Sequence, residues 1–599
     1  MRLVIASLAV LALAASTAAA LPPPRDVHAE LVALEQRYLD GLFAAKPHLA
    51  SYMGDHRFDD RIVDLSEAAL ARRHDELGTT LAKVGALRAV TTDDKVDLEI
   101  MRDGARLELL YLDEIRDWAW DPRLYDSFPF YDPREIVAGR LADIMHGDFA
   151  PEVKRKQSMV AELAALPAYL AQCEGWLARP YRGGKVPAGW RNPPKVYVEQ
   201  AIKDNRGRVD FVRGEVGAYL GEGGKDAVEK SLLALDHYQS FLEKELLPAA
   251  NGDWKLGRAV YDKKFPLALQ SQRSPDEVVA RAHADFDRTR KELIELAKKL
   301  HLELWPAEGM PTGAALVNKV KNELSKAHCK PEELVAAHGR RLDALRTFLQ
   351  KNRMVELPAR DTLVVAPMPA YKRGSSAAEY LAPGLLDKRP GFHATYYVDP
   401  IDPTWSKERV ESYLRGQNDY EVELVAAHEA YPGHHTQTFQ AKKNGSALRA
   451  TLWNGPMVEG WAVYGEGQIV RRGWGGLRND RYRFFDLRGR MISASNLILD
   501  VGLQRGTMTD AEAVRMMVED GFQEQAMAEK KLLRAKLDST QLCQYFLGLD
   551  EIEALESNVL SAQGRKPDAA FHHDFNMGLV SHGSISVRFL RDYLLVPAK

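Results

Sequence analysis

Eight residues in the C-terminal part of the chain constrain its fold more than any other stretch. They read H-E-A-Y-P-G-H-H, from His428 to His435. A proline removes a backbone donor and clashes with the preceding helical turn, and a glycine adopts dihedral angles that other residues avoid. Pro432 and Gly433 therefore predict that the helix carrying His428 bulges at this point.

The octapeptide has the letters of the zinc-binding pattern H-E-x-x-H, lengthened by two or three residues. In the short pattern, two histidines one helical turn apart bind Zn²⁺, and the glutamate between them activates a water. Two imidazole nitrogens on one tetrahedral ion lie roughly 3.4 Å apart. On a straight helix, however, His428 and His435 would be separated by about 10.5 Å. A bulge would bring His434 or His435 beside His428. The alternative is a helix that ends at Pro-Gly and a second helix with a polar start.

A carboxylate follows at the distance expected of a third ligand. Glu459 lies 24 residues after His435, and glutamate-type zinc peptidases take a ligand from a second helix at about this separation. A lone glutamate on a helix is usually a solvated charge, but Val458 and Trp461 would bury this one, and a buried carboxylate needs a partner or a metal. Glu466, two turns further on, is either support for a histidine N–H or a surface charge.

Several stretches together resemble the DUF885 family, bacterial proteins that are similar to gluzincin metallopeptidases. The matching stretches span roughly residues 360–560 and are H-E-A-Y-P-G-H-H (428–435), V-E-G-W-A-V-Y-G-E (458–466), R-P-G (389–391), Y-Y-V-D-P (396–400), L-I-L-D-V-G-L (497–503) and Q-L-C-Q-Y-F-L-G (541–548). The resemblance implies a large, mainly helical metallopeptidase-like fold with a central cleft and a small β element near the active-site helix.

The motifs and the resemblance together predict a site that binds Zn²⁺ through His428, His434 and Glu459. His435 is the alternative to His434, which we favour because Gly-His closes the turn as it does in many shorter motifs. Glu429 is the expected general base, which takes a proton from the attacking water and passes it to the leaving amine.

Related peptidase clans stabilise the oxyanion with a tyrosine from a late helix. The resemblance therefore makes Tyr545 the candidate here, with His582 as the second choice. The alternative for Tyr545 is a packing role in the core beside Phe546 and Leu547.

The spacing of apolar residues predicts a mainly α protein. Apolar side chains recur every three or four residues in Val27–Ala45, Asp93–Ile115, Glu152–Leu177, Lys195–Leu220 and Asp226–Leu246. Strand-like segments are few: Thr362–Ala366 and Thr395–Val398, just before the metal motif. Such a sheet can pair with the extended backbone of a substrate, or it only braces the helix. We predict a mainly helical half, residues 21–357, intertwined with a metal-binding catalytic half, residues 358–599.

The first residues predict export. Arg2 precedes an apolar run from Leu3 to Ala15 and an A-x-A type cleavage site at Ala18–Ala20, so residues 1–20 read as a signal peptide. The expected location is the periplasm or the extracellular space. No cysteine follows the cleavage site, which argues against a lipid anchor, and no later stretch is long and apolar enough for a membrane span.

The charge balance bears on the partners. The chain has 81 Lys and Arg residues against 84 Asp and Glu residues, so neither nucleic acid nor an anionic membrane is an expected partner. The substrate would be a peptide or a small amide, and the oligomeric state is left open. Two rival hypotheses remain: a metal-dependent hydrolase of non-peptide amide or acyl bonds, and a non-catalytic zinc-binding protein that would tolerate the loss of Glu429.

Overall fold

The computed structural model describes residues 27–128, 133–182, 191–358, 362–368, 373, 377–389 and 393–595. The predicted signal peptide, residues 1–20, lies outside them. Helices account for 72% and strands for 3% of the residues that the structure describes, which confirms the predicted mainly α fold. Among the described residues, no helix combines the length and the apolar character needed to cross a bilayer.

Among the described residues up to position 357, the chain forms fifteen helices. They are α1 Val27–Ala45, α2 Pro47–Met53, α3 Glu67–Ala86, α4 Thr92–Leu110, α5 Asp117–Trp120, α6 Ala138–His146, α7 Glu152–Ala178, α8 Lys195–Phe211, α9 Gly217–Leu220, α10 Lys225–Phe241, α11 Leu247–Ala249, α12 Arg258–Leu269, α13 Pro275–Leu304, α14 Gly313–Leu324 and α15 Leu334–Asn352. The five segments predicted from apolar spacing are all helical. Single π turns at Tyr111–Ile115, Val212–Val216 and Leu242–Leu246 continue three of these helices.

Eleven further helices follow in the C-terminal part that the structure describes. They are α16 Lys407–Gly416, α17 Asp419–Glu429, α18 His434–Asn444, α19 Ala447–Thr451, α20 Gly455–Arg471, α21 Asn479–Gln504, α22 Asp510–Arg515, α23 Gln525–Leu537, α24 Gln544–Gln563, α25 Ala569–Val580 and α26 Val587–Leu594. A π turn at Met516–Asp520 continues α22, and 3₁₀ turns lie at His56–Phe58, Gly221–Gly224, Pro331–Glu333 and Gly476–Arg478.

Five short strands form two small sheets among the described residues. They are β1 Tyr125–Asp126, β2 Arg134–Glu135, β3 Thr362–Pro367, β4 Ala378–Leu381 and β5 His393–Val398. The two predicted strands are confirmed as β3 and β5, which pair in parallel, with Val364 opposite Thr395. β4 pairs antiparallel with β5 and forms the outer strand of this sheet. The β1–β2 ribbon and β4 were not predicted, because they are too short to show a clear alternation of apolar residues.

The largest apolar core joins the two parts of the chain. It contains Leu42, Leu293 and Leu345 from the first part, and Trp461 and Leu547 from the second. The long helices α13 and α21 pack along each other, and so do α20 and α24. A second core lies within the first part, around α7 and α10. The predicted boundary near residue 357 stays a prediction.

Candidate metal centre

The helix α17 carries His428 close to its C-terminal end. Asn418 caps its first turn by accepting from the backbone N–H groups of Tyr420 and Glu421. Leu424 and Ala427 face the core. The helix ends at Glu429, so the half-buried side chains of His428 and Glu429 stand in the last turn of a helix that is capped at its start.

The helical conformation is interrupted between His428 and His434, where Pro432 and Gly433 lie. The new helix α18 begins at His434. A Cβ atom on residue 433 would lie 1.7 Å from the carbonyl oxygen of His428, so only glycine fits this close approach. Trp461 Nε1 on α20 donates to the carbonyl of Pro432 at 2.9 Å. The predicted bulge within a single helix is wrong: one helix ends at Glu429 and a second begins at His434, and the turn between them still brings His434 beside His428.

His428, His434 and Glu459 converge on one point. Each offers a ligand atom, and these atoms lie within 4.8 Å of one another. Glu459 Oε2 lies 3.3 Å from His428 Nε2 and 3.8 Å from His434 Nε2. The two imidazole rings meet edge to face, with centroids 4.7 Å apart. Ligand atoms at neighbouring corners of a tetrahedral zinc site stand roughly 3.4 Å apart, so these separations suit that ion.

The Oε2 atom of Glu459 has no hydrogen-bond partner among the described residues. Glu459 is 4% exposed, and no donor among the described residues reaches its Oε2 with hydrogen-bond geometry. A buried carboxylate left in this way is costly unless a cation or a donor satisfies it. The three residues are therefore a chemically suitable set for Zn²⁺: two nitrogens, one carboxylate and room for further ligands.

His435, the alternative ligand, faces away from this point. It is fully buried, its Nδ1 lies 3.3 Å from the Tyr380 hydroxyl, and its ring packs edge to face on Tyr380 and Tyr431. The geometry thus favours His434 over His435 as the second ligand, and the assignment itself stays a prediction.

Glu466 stands behind His428. Its Oε1 lies 2.7 Å from His428 Nδ1. Two carboxylates of α20 therefore face this histidine, Glu466 at Nδ1 and Glu459 at Nε2. A carboxylate on Nδ1 fixes the ring so that Nε2 points at the metal, and it makes that nitrogen a stronger ligand. Of the two readings open for Glu466, the structure favours support of the histidine over a free surface charge.

Burial and neighbouring charges set the protonation of these side chains. Burial lowers the pKa of His434 to about 4, with Glu459 opposing the shift, so its imidazole is neutral and able to bind a metal. The pKa of His428 is raised well above its usual value, because its contacts with Glu459 and Glu466 outweigh the effect of burial. Burial also raises the pKa of Glu429 to about 7; His428 opposes this shift and the Glu459 charge adds to it.

His428, Glu429, His434 and Glu459 line a cleft of about 600 Å³. Glu429 reaches into it beside the outer strand β4, and its Oε2 lies 3.3 Å from the backbone N–H of Tyr380. Tyr545, at the start of α24, lines the same cleft, and its hydroxyl is 3.5 Å from Gln541 Nε2. His582 does not line this cleft, and its ring instead stacks on Tyr593 with centroids 3.9 Å apart.

Further side chains of the cleft were not identified from sequence. They come from distant parts of the chain and are Tyr52, Arg134, Glu379, Tyr380, Trp453 and Arg534. None stands in a motif, and they reach the cleft from α2, β2, β4, α23 and the loop after α19. The nearest signal was the strand-like stretch before the octapeptide, which placed a sheet at the site without identifying β4.

Comparisons with known proteins agree with this architecture. A family model described as "Bacterial protein of unknown function (DUF885)" matches residues 47–594. The fold is similar to the solved structure of a candidate lipoprotein of unknown function from Shewanella oneidensis, with 25% identity, a TM-score of 0.78, and coverage of 94% of this chain and 100% of that one. A candidate lipoprotein from Colwellia psychrerythraea has 16% identity, a TM-score of 0.75, and coverage of 95% and 98%. No curated protein matches the chain in sequence.

Proposed function

The chain belongs to the DUF885 family, and we propose that it is an exported zinc-dependent peptidase with its metal centre at His428, His434 and Glu459. One observation carries the proposal: two imidazoles and a buried carboxylate converge on one point, and Glu429 shares their cleft. A structural zinc site is closed by four protein ligands, whereas a catalytic site leaves a position open for water or substrate. Three protein donors in an open cleft fit the catalytic kind.

When bound, Zn²⁺ supplies Lewis acidity, which makes a water more acidic and polarises the carbonyl group of the substrate. Glu429 supplies the base. Its carboxylate accepts a proton from the attacking water at Oε1 or Oε2 and delivers it to the leaving nitrogen. The backbone N–H of Tyr380 donates to Oε2 at 3.3 Å and holds this carboxylate at the wall of the cleft.

The oxyanion that forms on the substrate carbonyl needs a donor from the protein as well. Tyr545 lines the cleft and carries a hydroxyl that can donate to this oxygen. Gln541, one turn before it, contacts the hydroxyl and helps to set its orientation. Tyr545 is therefore the proposed stabiliser of the oxyanion, and its position at the cleft wall supports this role over one in core packing.

A peptide suits this cleft better than a non-peptide amide. The outer strand β4 forms one wall, through Ala378–Leu381. The edge of a sheet offers backbone N–H and C=O groups at the spacing of an extended peptide, and an added strand binds there through main-chain hydrogen bonds. The predicted signal peptide would place the enzyme in the periplasm or outside the cell.

The test begins with activity. Purified mature protein is incubated with a peptide library, and the products are identified by mass spectrometry. Chelation should abolish cleavage and added zinc should restore it. Glu429→Gln keeps the size of the side chain but cannot accept a proton, so turnover of a cleaved peptide should fall by about 10² to 10⁴-fold while zinc content stays at the wild-type level.

Glu408→Gln is the matched control, because Glu408 is exposed on α16 and lies outside the cleft. It should leave turnover unchanged. Cleavage by zinc-loaded Glu429→Gln at the wild-type rate would show that Glu429 is no general base. If zinc binds but no peptide is cleaved, a screen of ester and non-peptide amide substrates decides between the two rival hypotheses.

A further inference from the structure

A second cavity lies in the first part of the chain and shares no lining residue with the metal cleft. This chamber measures about 330 Å³ and is bounded by α1, α3, α5 and the strand β1. Five aromatic side chains contribute to its walls: Tyr111, Trp118, Tyr125, Phe128 and Tyr169. Its volume is at the lower end of the range for small-molecule sites.

Almost every acidic side chain of the chamber already has a partner. Asp126 holds Lys46 at 2.7 Å and His48 at 2.7 Å. Asp121 is paired with Arg123 at 2.7 Å. In the same way Glu108 and Glu76 both contact Arg73, and Asp64 accepts from Ser66 and Gln172.

Asp117 differs from its neighbours. Its carboxylate makes no ion pair among the described residues, and its hydrogen bond is to the backbone N–H of Trp118, at 2.9 Å. Burial raises the pKa of Asp117 to about 7, and the charges of Asp126 and Asp121 add to this effect while Lys46 opposes it. The ammonium group of Lys46 is already bound by both oxygens of Asp126. The buried Lys264 also acts on Asp117, but its Nζ donates to Ser539 Oγ at 2.7 Å and forms no ion pair with Asp117.

A second group beside Asp117 also lacks a partner. The indole Nε1 of Trp118 is buried and has no acceptor among the described residues. The Trp118 ring lies edge to face with Trp176, at a centroid distance of 4.6 Å, so its position is fixed by packing. Buried N–H groups are nearly always satisfied; the carboxylate of a bound amino acid would supply the missing acceptor, whereas a simple ammonium ion has none.

We propose that the chamber binds an organic ammonium ion with a small apolar body, with Asp117 as its counter-ion and the aromatic rings around its body. Carboxylates beside aromatic faces attract such cations by charge and by the ring quadrupole. Phe128 already shows the second interaction, since Lys46 Nζ lies 5.5 Å from its ring centroid. The ligand is either a simple amine or an amino acid, because Arg72 stands exposed at the chamber wall and can meet a carboxylate.

The test compares ligands that share a phenyl group on a short carbon chain and differ in their polar head group. Phenethylammonium, L-phenylalanine and the neutral 2-phenylethanol are titrated into the mature protein by calorimetry at mildly alkaline pH, where Asp117 is ionised. Phenethylammonium should bind, and 2-phenylethanol should bind at least about tenfold more weakly. Tighter binding of L-phenylalanine identifies an amino acid site, and weaker binding identifies an amine site. Absence of phenethylammonium binding at millimolar concentration, or equal binding of the alcohol, overturns the proposal.

Asp117→Asn locates the binding. It keeps the shape of the side chain and the contact with the Trp118 N–H, yet it should weaken phenethylammonium binding by about tenfold or more. Asp64→Asn, an exposed acid of the same chamber, should change it by less than about twofold. If the Asn variant does not fold, Trp118→Phe takes its place, and this variant should weaken the binding of L-phenylalanine. Wild-type affinity in Asp117→Asn would place the ligand elsewhere.

Discussion

At the residue scale, the two neighbouring histidines have opposite surroundings. His434 Nε2 faces Glu459, whereas His435 is enclosed by Tyr380 and Tyr431. A pair of adjacent residues on one helix points in directions about 100° apart, which follows from 3.6 residues per turn. One of the two can therefore enter the cleft only if the other leaves it.

This difference gives a prediction for zinc content. His428→Ala, Glu459→Ala and His434→Ala should each lower bound zinc well below one ion per chain, since each removes a ligand from a three-residue set. His435→Ala should keep its zinc. Elemental analysis of the folded fraction checks the result, with the exposed His283→Ala as control. A full zinc ion per chain in the His428 and Glu459 variants would rule out the proposed metal centre.

The contact between Glu466 and His428 gives a second prediction. Glu466→Gln keeps a group that can hydrogen-bond to Nδ1 but removes the negative charge that strengthens the histidine as a ligand. Zinc affinity should fall by about 10 to 100-fold, while one ion per chain still binds at saturation. Competition with a chelator of known affinity measures the change. An unchanged affinity would make Glu466 a group without influence on the metal.

At the scale of elements, two glycines allow the helices of the site to approach. Gly460 on α20 and Gly548 on α24 meet at the crossing of these helices, where a Cβ on residue 548 would lie 1.8 Å from the carbonyl oxygen of Pro456. This approach holds Tyr545, one turn before Gly548, near Glu459, one residue before Gly460. Both glycines stand inside helices, where glycine is otherwise unfavourable.

We therefore expect Gly548→Ala to destabilise the protein. The added methyl group meets backbone atoms that cannot move aside, and overpacking of this kind costs about 1 to 3 kcal/mol or more of unfolding free energy. Gly489→Ala on α21 is the control, because nothing lies within 4 Å of its Cβ position and alanine favours a helix. Urea denaturation compares the two variants. Equal stability of Gly548→Ala and the wild type would contradict the close crossing.

At the scale of the whole molecule, the metal cleft needs both parts of the chain. Tyr52 and Arg134 line it from the first part, and the loop after β4 rests on α2, where Leu386 N–H donates to the Met53 carbonyl at 2.8 Å. The main apolar core likewise contains residues from both parts. A boundary near residue 357 therefore separates sequence regions that share one core.

From this shared core we expect that residues 358–599 expressed alone will not fold. Their apolar side chains would lose the surfaces supplied by α12, α13 and α15, and the exposed area would favour aggregation. Circular dichroism and thermal unfolding of the fragment, beside the mature chain, measure the result. A cooperative unfolding transition in the isolated fragment would show that the catalytic half is a domain of its own.

The sequence by itself determined the helical class and identified the residues of the candidate centre. Apolar spacing is a local property, so α1, α7 and α10 could be delimited within a few residues. The spacing of His428, Pro432 and Glu459 also limits the geometry, because a helix has a fixed rise and a metal has a fixed size.

Only the tertiary structure favoured His434 over His435, joined Glu466 to His428 and placed Tyr52 and Tyr380 in the cleft. These outcomes depend on how α17, α20 and β4 pack, and packing is set by contacts between residues far apart in the chain. The chamber around Asp117 could not be foreseen for the same reason: its isolation becomes visible only once Asp121 and Asp126 are seen to have partners of their own.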